Sequence, residues 1–191
     1  MKCERLEIAY GDIVDDTFLR KADVIVNPSN PMMRQGGGVS GAIFNKAGVE
    51  ELEKYCRETF NIVYVGESLI NTMEVTEIRV TPGFNLPCDI IFAQGPNDIF
   101  FPLKREEFLP LLKKTYENIF KVCEERNYKT IILPSLGTGI YGIPHDAASK
   151  IMFKTALEFL KRNKESRIIV VMNNLKHVNE YKETLEKILN N

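Results

Sequence analysis

The chain is poor in the residues that build metal and disulfide sites. Its four cysteines, Cys3, Cys56, Cys88 and Cys123, are dispersed, and its two histidines, His145 and His177, lie far from them in sequence. Without paired spacing there is no zinc-finger or disulfide framework, so reduced thiols and no metal are expected. An excess of charge is also missing: 25 Lys and Arg against 26 Asp and Glu leave a formal net charge of −1. The two signs are interleaved, as in Lys161 to Arg167. A broad nucleic-acid or membrane surface is therefore disfavoured, and any anionic ligand must be held locally. No apolar run approaches ~18 residues, and the opening MKCERLEIAYGD lacks a signal-peptide core. A soluble, cytoplasmic protein with no membrane partner is expected. With no linker, repeat or low-complexity segment, the 191 residues fit one domain, 1–191, large enough for a sizeable core.

What is present centres on Ala22 to Gly48, ADVIVNPSNPMMRQGGGVSGAIFNKAG. Asp23 to Val26 is a short β-branched run that is expected to stop at Asn27-Pro28-Ser29-Asn30-Pro31. Gly36, Gly37 and Gly38 then open a helix at about Val39. Glycines ahead of a helix leave backbone N–H groups bare, and the helix dipole favours negative charge there. The alternative is a flexible surface turn, since glycine clusters often only punctuate structure.

Buried strands and helices alternate along the rest. Cys3 to Tyr10 reads as a strand ending at Gly11-Asp12; two helical pieces meet near Gly48; Val75 to Thr81 and Asp89 to Ala93 read as strands. Arg105 to Arg126 is an amphipathic helix with Leu109, Leu112, Tyr116, Ile119, Phe120 and Cys123 as its stripe. Lys129 to Leu133, Ala147 to Leu160, Arg167 to Met172 and Val178 to Leu189 continue the alternation as strand, helix, strand and helix. The class is α/β, a three-layer α/β/α arrangement with a mixed, largely parallel central sheet. In such sheets ligands bind at the carboxyl ends of the strands, where both glycine-rich loops fall.

The second loop, Gly137-Thr138-Gly139-Ile140-Tyr141-Gly142, fits G-x-G-x-x-G and follows a strand. A Rossmann site would also want an acidic residue ending the next strand, about 20 positions on, but that strand ends Val171-Met172-Asn173-Asn174. The fingerprint normally opens its domain, and no G-x-x-x-x-G-K-[ST] occurs either. Two facing glycine loops suit a diphosphate held from both sides.

These segments together resemble a macro domain, the module that binds ADP-ribose and in many members hydrolyses its esters. Asp23 to Gly48 resembles the first family signature, Ile78 to Pro96 the middle segment and Leu133 to Pro144 the second phosphate loop, in family order. The resemblance implies that Asp12, with Ile13 beside it, specifies adenine, a role a carboxylate can fill by accepting from the exocyclic amine. It places Asn30 at the distal ribose, Gly37, Gly38 and Val39 in the first phosphate and ribose loop, and Gly137, Thr138, Gly139, Ile140 and Tyr141 in the second. Read without the resemblance, Asp12 is a turn aspartate, Asn30 an Asx-turn residue and Tyr141 a packing residue.

Four positions depart from the pattern. Ser40 stands where efficient hydrolases carry an aspartate, and a serine hydroxyl is a poor general base unless activated. Gly137 replaces a common serine, and Met172 falls where an aromatic usually stacks on adenine, a thioether giving less geometric control. Phe92 replaces a common histidine. His145 is expected as a solvated residue at a helix start, and Phe100-Phe101-Pro102 as a core anchor for the following helix. The expected partner is ADP-ribose or an ADP-ribosylated protein. The expected chemistry, with no cofactor, is hydrolysis of an ester at the distal ribose, with Asn30 orienting and Ser40 or a substrate phosphate assisting water. A non-catalytic ADP-ribose reader is the alternative.

Overall fold

The structure, a computed structural model, describes residues 4–65 and 68–190. Among them a six-stranded sheet runs β1 (Leu6–Tyr10), β8 (Arg167–Met172), β7 (Thr130–Leu133), β2 (Val24–Pro28), β6 (Asp89–Ala93) and β5 (Ile78–Thr81). The first five are mutually parallel, and β5 is an antiparallel edge. A separate hairpin pairs β3 (Val63–Val65) with β4 (Ser68–Ile70). The helices are α1 (Asp16–Leu19), α2 (Gly38–Ala47), α3 (Val49–Thr59), α4 (Phe108–Glu125), α5 (His145–Arg162) and α6 (Leu175–Leu189).

Side-chain alternation on the strands assigns the layers, because successive residues point to opposite faces. Val24, Val26, Ile91, Ile131, Leu133, Ile168 and Val170 pack with α4, α5 and α6. Ile25, Ile90, Phe92, Ile132, Ile169 and Val171 pack with α1, α2 and α3. The strands are apolar on both faces, as a parallel sheet covered twice requires. Phe44 of α2 meets Phe92 edge-on at 5.9 Å, which seats that helix on β2 and β6.

Several element ends differ from the sequence expectation. The first strand is shorter, Leu6–Tyr10, and Cys3 lies outside the described residues. β2 continues through Asn27 and Pro28, which pair in register with Phe92 and Ala93. Proline is tolerated there because the β7 ladder already ends opposite Ile25, so the missing N–H faces no partner. β5 starts at Ile78 rather than Val75. On α4 Phe108 joins Tyr116 and Phe120 as a buried aromatic, while Leu109 is exposed; a short 3-10 turn over Arg105–Glu107 precedes the helix. Phe100 is exposed and does not anchor the core; Phe108 takes that place.

Candidate functional site

The position of the site follows from which face each connection takes. After β2 the chain crosses to the face of α2 and α3, whereas after its parallel neighbour β7 it crosses to the face of α5. A crevice therefore opens between the ends of these two strands. The same divergence occurs between β1, followed by α1, and β8, followed by α6. The β1 and β2 ends are three strand spacings apart, roughly 14 Å at about 4.8 Å per strand. An elongated ligand is suited to that edge.

At one end lie Asp12, Ile13 and Met172. The Gly11 N–H donates to the Met172 carbonyl at 3.0 Å, joining the β1 and β8 ends. Asp12 is exposed; its Oδ1 accepts from the Val14 N–H at 3.1 Å, which leaves acceptor capacity on the carboxylate. Ile13 and Met172 have buried side chains, which leaves main-chain atoms and the thioether edge for contact.

At the other end the first loop closes over Asn30 and Ser40. Asn30 Nδ2 donates to the Arg34 carbonyl at 2.8 Å, and Oδ1 accepts from the Arg34 N–H at 3.2 Å. One amide hydrogen and one acceptor position of Asn30 remain for another partner. A Cβ on Gly36 would lie 3.7 Å from both Asn30 Nδ2 and Ser40 Oγ, so the loop brings these two residues together. The Ser40 hydroxyl is buried and has no hydrogen-bond partner among the described residues: it sits beneath the loop, on the stripe of α2 that meets the core. Val39 is half-buried against the same core.

The glycines divide into two kinds. Gly41 and Gly95 are required by close packing: a Cβ on Gly41 would stand 2.6 Å from the Gly36 carbonyl oxygen, and one on Gly95 2.6 Å from Gly137 N and Cα. Among the described residues, nothing lies within 4 Å of the Cβ positions of Gly37, Gly38 and Gly139. Gly38 has φ +56, a backbone region glycine adopts without steric cost. These three line open space, and the α2 amino end, capped by no side chain, offers its N–H groups there.

The second loop folds on itself, with Gly142 N–H donating to the Gly139 carbonyl and Ile143 N–H to the Gly137 carbonyl. Thr138 is half-buried, and Ile140 is the most exposed large apolar residue at 83%. Burial raises the Tyr141 phenol above its ordinary value, so it is a neutral hydroxyl at neutral pH. Sequence reasoning missed the middle loop. Asn97 is buried, accepts from the Ile99 and Phe100 N–H groups and donates to the Gly95 carbonyl. Arg105 pairs with Asp98 at 3.2 Å and donates to the Tyr141 carbonyl at 3.1 Å. The Gly-Pro and Asn that follow β6 signalled a turn, not its packing on the second loop. His145 opens α5 as expected but is half-buried rather than solvated, its ring stacking on His177 at 3.7 Å. Burial, with His177 beside it, holds it below the usual imidazole value.

Among the described residues no three His, Cys, Asp or Glu side chains converge as a metal site, and no helix is long and apolar enough to cross a membrane. The crevice thus offers backbone N–H groups, a carboxylate acceptor and hydroxyls.

Known proteins share this fold. The chain is 34% identical over 161 residues to an O-acetyl-ADP-ribose deacetylase of Enterobacter sp., covering 83% of this chain and 80% of that one. The fold matches an Oceanobacillus iheyensis macrodomain solved with ADP at a TM-score of 0.83 and 32% identity, over 100% of this chain and 95% of that one. A Gly→Val variant of the same macrodomain, solved with ADPR, gives a TM-score of 0.84 and 31% identity over 100% and 98%. The macro domain family model matches residues 26–152, and with these likenesses the chain belongs to the macro domain family.

Proposed function

We propose that the crevice binds ADP-ribose and its derivatives and that the protein hydrolyses esters at the distal ribose. The observation that carries the binding claim is the trio Gly37, Gly38 and Gly139, whose Cβ positions open on unoccupied space at the divergence of β2 and β7. Adenine lies at Asp12, Ile13 and Met172, and the diphosphate is clamped by the N–H groups of Gly37, Gly38 and Val39 and of Gly137 to Tyr141. The distal ribose rests on Asn30, with the Tyr141 ring at its border. N–H groups and helix dipoles can neutralise a diphosphate without a basic patch, which agrees with the net charge of −1. Relatives named for O-acetyl-ADP-ribose deacetylation and a macrodomain solved with ADPR support the ligand class.

In the hydrolytic step, water adds to the ester carbonyl and loses its proton to a substrate phosphate oxygen. The ester C–O bond then breaks, and the ribose oxygen leaves as the hydroxyl by taking that proton back from the phosphate oxygen, with a carboxylic acid as the other product. The buried Ser40 hydroxyl is poorly placed to serve as the base, which assigns that part to the substrate. The same burial favours the second reading, an ADP-ribose reader without turnover. Incubation with O-acetyl-ADP-ribose, or with a protein bearing ADP-ribose on glutamate, separates the two. The hydrolase releases ADP-ribose above the buffer rate; a protein that binds but releases none at stoichiometric amounts is the reader. The reading further takes residues 1–191 as one macro-like domain in the cytoplasm, a reducing compartment. Its support is that Cys56, Cys88 and Cys123 are free and buried, with burial pushing the Cys56 and Cys88 thiols up to about 12.

A further inference from the structure

The second glycine loop is braced from below by two tyrosines on separate helices. Tyr181 of α6 and Tyr116 of α4 have no exposed surface. The Tyr181 hydroxyl lies 2.5 Å from Ser135 Oγ, and the Thr138 hydroxyl donates to that same Oγ at 3.0 Å. The Leu136 N–H donates to the Tyr116 hydroxyl at 3.1 Å. Three anchor points, Ser135, Leu136 and, through Ser135, Thr138, thus fix the stem of the loop, in addition to its own Gly142–Gly139 and Ile143–Gly137 bonds and the Arg105 contact to the Tyr141 carbonyl. Gly137 and Gly142 have φ of +75 and +71, and glycine in such positions carries more chain entropy to lose than any other residue.

A loop left free would have to be ordered when ligand arrives, at a cost in affinity; one fixed beforehand avoids it. We propose that Tyr181 and Tyr116 are positioning residues for ligand binding, their hydroxyls holding the N–H groups of Gly137 to Tyr141 in the arrangement that receives the diphosphate. The inference rests on the proposed ligand; its mechanical part, the ordering of the loop, does not. The rings themselves serve the core, with Tyr181 edge-on to Phe153 at 5.7 Å and to His145 at 5.9 Å. Tyrosine-to-phenylalanine exchange therefore removes only the hydroxyl.

The test compares wild type with Tyr181→Phe, Tyr116→Phe, Ser135→Ala and the Tyr181→Phe/Ser135→Ala double variant. NMR amide order parameters of the ligand-free protein are expected to fall at Gly137 to Gly142 in each variant and to stay unchanged in the sheet. Calorimetry with ADP-ribose is expected to show about tenfold weaker binding in Tyr181→Phe, with the double variant no weaker than the weaker single. Wild-type order parameters in the loop of Tyr181→Phe would overturn the inference, and so would wild-type affinity in a protein that binds ADP-ribose. If wild type itself fails to bind ADP-ribose, the ligand assignment fails and the positioning role for it fails too; an ordered wild-type loop loosened in the variants then leaves only the mechanical brace standing.

Discussion

Asp12 is the residue at which the proposed recognition of adenine is most finely divided. One carboxylate oxygen already holds the Val14 N–H, and the other is the acceptor that would meet an exocyclic amine. Asparagine can keep the turn, because its carbonyl still accepts from Val14, but it replaces the other acceptor oxygen by a donor. Asp12→Asn is therefore expected to unfold at the wild-type temperature while binding ADP-ribose roughly tenfold or more weakly, in line with about 1.5–3 kcal/mol for a hydrogen bond to a charged group. Equal affinity in Asp12→Asn would move adenine recognition elsewhere. Ser40 shows the limit of residue-level inference: its place after GGGV could be read from the chain, whereas the burial of its hydroxyl depends on how α2 is rotated. That rotation is set by Ile43, Phe44 and Ala47 in the core.

At the scale of elements, the loops form a stack rather than independent turns. Gly95 presses on Gly137, whose own Cβ position is blocked by Ile143 at 2.6 Å, so the middle loop and the second loop are set together. Gly95→Ala is expected to cost about 1–3 kcal/mol by overpacking, measurable by urea unfolding. It should weaken ADP-ribose binding beyond what Ala at the open Gly139 does; a variant with wild-type stability would contradict the packing described. The long elements could be read directly in the sequence. Asp89–Ala93 and Arg167–Met172 are the strands expected, and the Gly48 break between α2 and α3 is where two helices meet. Contacts between distant segments could not be read. The pairing of Asn27-Pro28 with β6, the Asn97 turn and the His145–His177 stack each depend on partners brought together by the sheet order, which no local pattern encodes.

For the molecule as a whole, the class α/β was legible because apolar strands alternate with amphipathic helices. The order β1-β8-β7-β2-β6-β5 was not, and it is this order that sets the two divergences of chain direction between which the proposed ligand would lie. Near-neutral charge disfavours a surface for an extended polyanion and, in the proposed reading, the backbone neutralises the diphosphate, so the central claim is that one elongated nucleotide occupies the whole edge. Isothermal calorimetry with ADP-ribose tests it most directly. The account predicts saturable binding of one ligand per chain in the micromolar range, abolished in Gly38→Glu, where a carboxylate would stand in the open space that the diphosphate needs. No heat of binding by wild type at millimolar ADP-ribose, or full binding by Gly38→Glu, would contradict it.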